Sequence, residues 1–152
     1  MSGASERPRV LETKTPEETE ALGAELAAGL HAGDLVLISG DLGTGKTTLV
    51  RGACRALGVT GPVTSPTFTI ASVHEGTEVT VSHLDLYRLA GLDDEDPALL
   101  EDYLGSDRIA FVEWPERDNG RLGRARLTVH LEHAGGDRRR IEIRETAKDP
   151  RR

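Results

Sequence analysis

Apolar residues recur along this chain in two alternating periods. Leu35-Val36-Leu37-Ile38 is a continuous apolar run, the pattern of an interior parallel strand. Leu49, Ala53, Ala56 and Leu57 then recur at helical spacing until Gly58 stops them. Upstream, Thr15, Pro16 and Glu18 predict a helix start, with threonine as N-cap, proline at the first helical position and glutamate as capping-box acid. That helix runs to about Leu30 and buries Leu22, Leu26 and Leu30, after which His31-Ala32-Gly33-Asp34 returns the chain to the strand.

Downstream, Phe68 to His74 and Glu78 to Asp85 read as two strands joined around Gly76, with Val79, Val81 and His83 suggesting one covered face. Asp94-Glu95-Asp96-Pro97 opens a further helix, with Leu99, Leu100, Tyr103 and Leu104 as its apolar positions and Gly105 as its stop. Ile109-Ala110-Phe111-Val112 repeats the interior-strand pattern and ends on Glu113. Arg126 to Glu132 and Arg139 to Ile143 alternate as strands and turn at Ala134-Gly135-Gly136-Asp137. The expectation is an α/β fold, a P-loop NTPase-like three-layer sandwich whose mixed sheet has central parallel strands and an antiparallel hairpin portion. Residues 1–9 read as a disordered lead, 10–146 as one domain and 147–152 as a frayed tail.

Between the first strand and its helix stands Gly40-Asp41-Leu42-Gly43-Thr44-Gly45-Lys46-Thr47, a full GxxxxGK(S/T) loop. Its backbone N–H groups, from Asp41 through Leu42, Gly43, Thr44 and Gly45 to Lys46, Thr47 and Thr48, would surround phosphate oxygens, backed by the positive end of the helix. Lys46 adds a mobile charge, and the Thr47 hydroxyl is a short oxygen ligand for Mg²⁺; Thr48 reads as a helical neighbour. Sixteen of the basic residues are Arg and three are Lys, yet the loop carries Lys, where a compact ammonium is wanted. The bland alternative is a glycine-rich connection with no ligand.

Composition narrows the choice. At 152 residues the chain suits one domain, and its single cysteine, Cys54, excludes a disulfide framework and reads as core. No apolar run approaches a membrane span, and Met1 to Val10 lacks the apolar centre of a signal peptide, so a cytoplasmic location is expected. The net charge of −7 argues against a large direct nucleic-acid surface. Charge is uneven, however: Asp93 to Asp107 holds seven acids and no base, and Arg117 to Arg152 holds eleven bases against six acids. Solvated faces of an acidic helix and a basic hairpin explain both patches better than partner surfaces do.

Hydrolysis needs more than a loop. Glu113 should emerge at the carboxyl edge of a parallel sheet beside the loop, where open α/β sheets bind ligands. Asp85 ends the other strand inside His83-Leu84-Asp85-Leu86-Tyr87-Arg88. His83 alone reads as a structural histidine, Tyr87 as core, and Trp114 as an anchor or an aromatic contact for nucleotide or partner. The hydroxyls of Ser65-Pro66-Thr67-Phe68 would sense the γ-phosphate or merely satisfy a turn. The chain has no glutamine and no NKxD motif, which favours ATP over GTP.

GDLGTGKTT at Gly40 to Thr48, SPTF at Ser65 to Phe68, HLDLYR at His83 to Arg88 and Glu113-Trp114-Pro115 together resemble the TsaE (YjeE) family. The resemblance implies a bacterial P-loop ATPase needed for N6-threonylcarbamoyladenosine (t6A) at position 37 of tRNAs that read codons beginning with A. TsaC would make the threonylcarbamoyl-adenylate, TsaD with TsaB would transfer it, and this chain would bind the TsaB–TsaD pair and hydrolyse ATP to reset it, meeting tRNA only indirectly. Lys46 and the loop amides would hold phosphates, Thr47 and Glu113 would hold Mg²⁺, Asp85 would serve as metal partner or water-orienting acid, and Trp114 would lie beside the site. Thr13 to Thr15 would contact adenosine. Thr44 stands where the family typically has alanine, a change expected to matter little because the position contributes backbone. Two rivals remain: a small metabolite kinase with Arg117, Arg121, Arg124 and Arg126 as a lid, and a nucleotide-dependent switch with incidental hydrolysis.

Overall fold

The two periods become alternating strands and helices. The computed structural model describes residues 7–65, 71–87, 101–118 and 122–146. In chain order these hold β1 (Arg9–Thr13), α1 (Pro16–Ala27), β2 (Leu35–Gly40), α2 (Lys46–Ala56), β3 (Ala71–Glu75), β4 (Thr80–Asp85), β5 (Arg108–Glu113), a 3-10 turn (Pro115–Asp118), β6 (Leu127–His133) and β7 (Arg139–Glu145). Among the described residues the seven strands form one sheet in the order β1-β7-β6-β2-β5-β4-β3. The central β6, β2, β5 and β4 are parallel, and β1, β7 and β3 are antiparallel additions. This is the expected α/β mixed sheet.

The apolar runs of β2 and β5 are explained by two-sided burial. Val36, Ile38, Ile109 and Phe111 join Leu22, Leu49, Val50 and Ala53 of α1 and α2 in the larger core. Leu35, Ala110 and Val112 turn the other way and meet Leu84, Leu86 and Leu122, with Tyr103, Leu104 and Trp114 packed beside them. The single covered face read from β4 is therefore corrected: Val81, Ser82, His83 and Leu84 are all buried, because β4 lies between β5 and β3 with apolar layers above and below.

At the head of α1, Thr15 Oγ1 accepts from the Glu18 N–H at 3.1 Å, as the capping pattern predicts. Glu18 reaches back one residue further than a standard box, accepting from the Lys14 N–H at 2.8 Å. The helix ends at Ala27 rather than Leu30, closing through Gly29 and Leu30. Arg9, placed in the lead by the sequence, opens β1 opposite Ile143; this short edge strand carries no turn signal to announce it. Pro66, Thr67, Phe68, Arg88, the helix start at Asp94 to Pro97, Leu99, Leu100, Arg121 and the tail from residue 147 lie outside the described residues.

Register decides where chemistry can gather. Ile38 pairs with Glu113 and Val129, and Asp85 pairs with Glu113. The carboxyl ends of β2, β4 and β5 therefore open on one edge, beside the loop into α2.

Candidate functional site

The loop is shaped by glycines that no other residue could replace cheaply. Gly40 has φ 144° and lies so close to β6 that a Cβ there would be 2.5 Å from the Leu131 carbonyl oxygen. Gly45, at φ 101°, occupies the N-cap of α2 and supplies no side-chain cap. The first amides of the helix are thus left to face the cleft together with the positive end of its dipole.

Lys46 is buried and folds back on the loop, its Nζ donating to the Gly40 carbonyl at 2.7 Å and the Asp41 carbonyl at 2.9 Å. The ammonium also lies 4.4 Å from the centre of the Trp114 ring, a cation–π contact. Burial holds the Lys46 pKa below its ordinary value, partly offset by the negative charges of Glu113, Asp85, Glu116 and Asp41.

Glu113 is 3% exposed, so it is not a solvated strand end. Its Oε2 accepts two hydrogen bonds, from Thr47 Oγ1 at 2.9 Å and from His83 Nε2 at 2.6 Å. An ionised carboxylate only accepts, which makes Nε2 the donor and orients the imidazole. His83 Nδ1 is buried without a hydrogen-bond partner among the described residues. Asp85 is fixed differently: Oδ2 accepts from Ser65 Oγ at 2.7 Å and Oδ1 from the Tyr87 N–H at 3.0 Å. Trp114 follows Glu113 with φ 60°, an uncommon left-handed conformation for a bulky residue, and its backbone N–H donates to the Ile38 carbonyl at 3.1 Å. That bend turns the indole over Lys46 and against Tyr87, with ring centres 4.8 Å apart.

A cleft of about 330 Å³ opens beside these groups. Leu42, Gly43, Thr44, Gly45, Lys46, Thr47 and Thr48 form one wall, and Ser65, Asp85, Glu113 and Trp114 another. Asp41 stays at the base of the loop, where its carbonyl serves Lys46 and Thr44, and does not line the cleft. Oxygen donors of this kind, Thr47 with Glu113 and Asp85 nearby, fit Mg²⁺ by their hardness.

Pro16, Thr19, Asp137 and Arg139 line the cleft too, and no sequence motif pointed to them. From the first helix it is Pro16 and Thr19 that reach the cleft; Thr13 Oγ1 is buried against Thr19 Oγ1 at 2.7 Å, and Thr15 caps α1. His83, read as structural, is the side chain that orients Glu113. Tyr87, read as core, is instead 38% exposed and packs its ring on Trp114. Arg126 is removed from any lid: it sits at the amino end of β6, donating to the Thr146 carbonyl at 2.9 Å and pairing with Glu145 at 2.8 Å.

A parallel sheet core, a glycine loop opening into a helix, and an acid at the end of the neighbouring strand define an α/β protein of P-loop NTPase-like fold. Within that class the family can be stated. A family model described as threonylcarbamoyl adenosine biosynthesis protein TsaE matches residues 13–141, and the chain belongs to the TsaE family. It is 49% identical over 118 residues to the tRNA threonylcarbamoyladenosine biosynthesis protein TsaE of Streptomyces coelicolor, covering 76% of this chain and 80% of that one. The Mycobacterium tuberculosis protein of the same name is 40% identical over 148 residues, 91% of this chain and 84% of the relative. The crystal structure of Bacillus subtilis YdiB superposes with a TM-score of 0.76 at 33% identity, covering 93% of this chain and 88% of that one.

Proposed function

We propose that this chain is a magnesium-dependent ATPase that serves t6A formation at position 37 of tRNA, in the cytoplasm, by acting on the TsaB–TsaD pair. The observation that carries the reading is the 2.9 Å hydrogen bond between Thr47 Oγ1 and Glu113 Oε2 at the mouth of the phosphate loop. A hydroxyl at a helix start and a carboxylate from the adjoining strand end are hard oxygen donors of the kind that would hold Mg²⁺ beside a bound triphosphate. Bound Mg²⁺ would neutralise charge on the phosphate oxygens.

The chain's own residues supply the rest. The N–H groups at the head of α2 and the Lys46 ammonium, which here donates to the Gly40 and Asp41 carbonyls, would bind the phosphates. His83 keeps the Glu113 carboxylate turned toward Thr47. Asp85, steadied by Ser65 and the Tyr87 N–H, is the acid that assists the metal or orients the attacking water. Trp114 covers Lys46 and excludes water from its flank. Family membership supports a low turnover alone that the TsaB–TsaD pair raises. TsaC would supply the threonylcarbamoyl donor upstream.

The test is a titration of the purified chain with ATP and Mg²⁺, with phosphate release followed in parallel. The wild type should bind and slowly hydrolyse ATP, and Lys46→Ala should weaken binding about a hundredfold. Equal affinity in the two proteins, or no nucleotide binding by the wild type, would overturn the reading.

A further inference from the structure

The carbonyl side of the phosphate loop is tied down one group after another. Lys46 Nζ serves Gly40 and Asp41, and Thr44 Oγ1 also donates to the Asp41 carbonyl at 2.7 Å. The next three carbonyls are met from outside the loop. His133 Nε2 faces the Leu42 carbonyl at 3.1 Å, Arg139 Nη2 donates to Gly43 O at 3.0 Å, and Arg139 Nε donates to Thr44 O at 3.0 Å. His133 ends β6 and Arg139 opens β7, so one hairpin carries all these donors.

That hairpin is itself braced by the same guanidinium. Arg139 Nη1 donates to the Gly136 carbonyl at 2.6 Å and the Arg138 carbonyl at 2.8 Å. Four N–H···O bonds therefore radiate from one side chain, two to the hairpin and two to the loop. A planar fork with five donors can span two adjacent carbonyls; a lysine ammonium cannot match that geometry.

We propose that Arg139 is a positioning residue for the nucleotide, a step that rests on the ATPase reading and deepens it. A peptide unit is planar, so fixing its C=O on one side fixes its N–H on the other. The peptide whose oxygen is Thr44 O carries the Gly45 N–H, at the cleft wall. The peptide whose oxygen is Gly43 O carries the Thr44 N–H, which closes the loop turn on Asp41 O at 3.3 Å. Gly43 and Gly45 have no Cβ to resist peptide rotation, at φ 76° and 101°, so beyond the loop's own Thr44–Asp41 turn the orientation rests on the Arg139 donors. With most of its donors engaged on carbonyls, Arg139 acts on phosphates through the loop.

The experiment measures Mg²⁺–ATP and Mg²⁺–ADP affinity, with KM and kcat for ATP, for wild type, Arg139→Gln and Arg139→Lys, together with the melting temperature of each nucleotide-free protein. Arg139→Gln should weaken both nucleotides by a similar factor, about ten- to hundredfold, with KM rising more than kcat falls. Arg139→Lys should lie between the two and carries the test if Arg139→Gln does not fold. Unchanged affinity in a folded variant overturns the proposal. So does a loss confined to ATP, which would make Arg139 a direct γ-phosphate contact. If the wild type binds neither nucleotide, the ATPase reading itself fails and the proposal falls with it.

Discussion

Gly52→Ala sets helix propensity against packing, and the structure decides the sign. Alanine is better than glycine inside a helix by about 1 kcal/mol, so propensity alone predicts stabilisation. Gly52, however, lies where α2 crosses α1, and a Cβ there would stand 1.8 Å from the Glu20 carbonyl oxygen and 2.6 Å from its carbon. Gly23 makes the reciprocal approach, with its Cβ position 2.0 Å from the Leu49 carbonyl oxygen. Both obstacles are backbone, which cannot rotate aside, so the helices would have to part by more than an ångström. Backbone displacement of that kind costs about 3 kcal/mol, leaving a net loss of about 2 kcal/mol after the propensity gain. For a domain of this size that lowers the melting temperature by about 4–8 °C. Gly29→Ala is the control, since the nearest atom to its Cβ position is the Leu26 oxygen at 3.9 Å, and it should be neutral or slightly stabilising. Thermal unfolding followed by circular dichroism reads both. A melting temperature for Gly52→Ala equal to or above wild type would refute the close crossing.

Other predictions follow from the site and the core. Glu113→Gln keeps an oxygen able to accept from Thr47 and His83 but loses the charge that would hold Mg²⁺, so stability should change little while Mg²⁺-dependent phosphate release falls at least about a hundredfold; release at the wild-type rate would contradict the role given to Glu113. Trp114 is the only tryptophan and stacks on Lys46, so Mg²⁺–ATP should change its emission, and the change should vanish in Lys46→Ala. Cys54 is fully buried and its pKa is pushed up to about 11 by burial, so a disulfide reagent at pH 8 should modify it only as fast as the chain unfolds. In the unfolded chain the thiol ionises from about its ordinary value of 9.0, so between about pH 9 and 11 the folded state holds the extra proton; the thiol's share of stability is whole below that window and falls as pH rises through it. Denaturant midpoints that rise over the window, relative to Cys54→Ala, would refute the assignment.

The features that could be read from residues alone are those set by near neighbours. The loop declares itself because glycines, Lys46 and Thr47 act within one turn, and β5 because two-sided burial writes an unbroken apolar run ending on Glu113. Thr15 is likewise a local cap. What stayed hidden depends on strands distant in sequence. The bond from His83 to Glu113 spans 30 residues and exists because β4 and β5 pair in parallel register. Arg139 reaches Gly43 across 96 residues, and nothing in Arg138-Arg139-Arg140 distinguishes the middle arginine until β7 folds beside the loop. Arg126 shows the converse, a residue that suggested a lid by composition and is held at the opposite end of the sheet by Glu145.

The central claim, that ATP turnover at this cleft serves tRNA modification, is tested most directly by reconstituting t6A formation with TsaC, TsaB, TsaD and this chain. Formation over many turnovers should require the wild-type chain, should fail with Lys46→Ala, and should be accompanied by ATP hydrolysis that the TsaB–TsaD pair accelerates. Modification that continues over many turnovers without the chain, or that Lys46→Ala supports as well as wild type, would contradict the account.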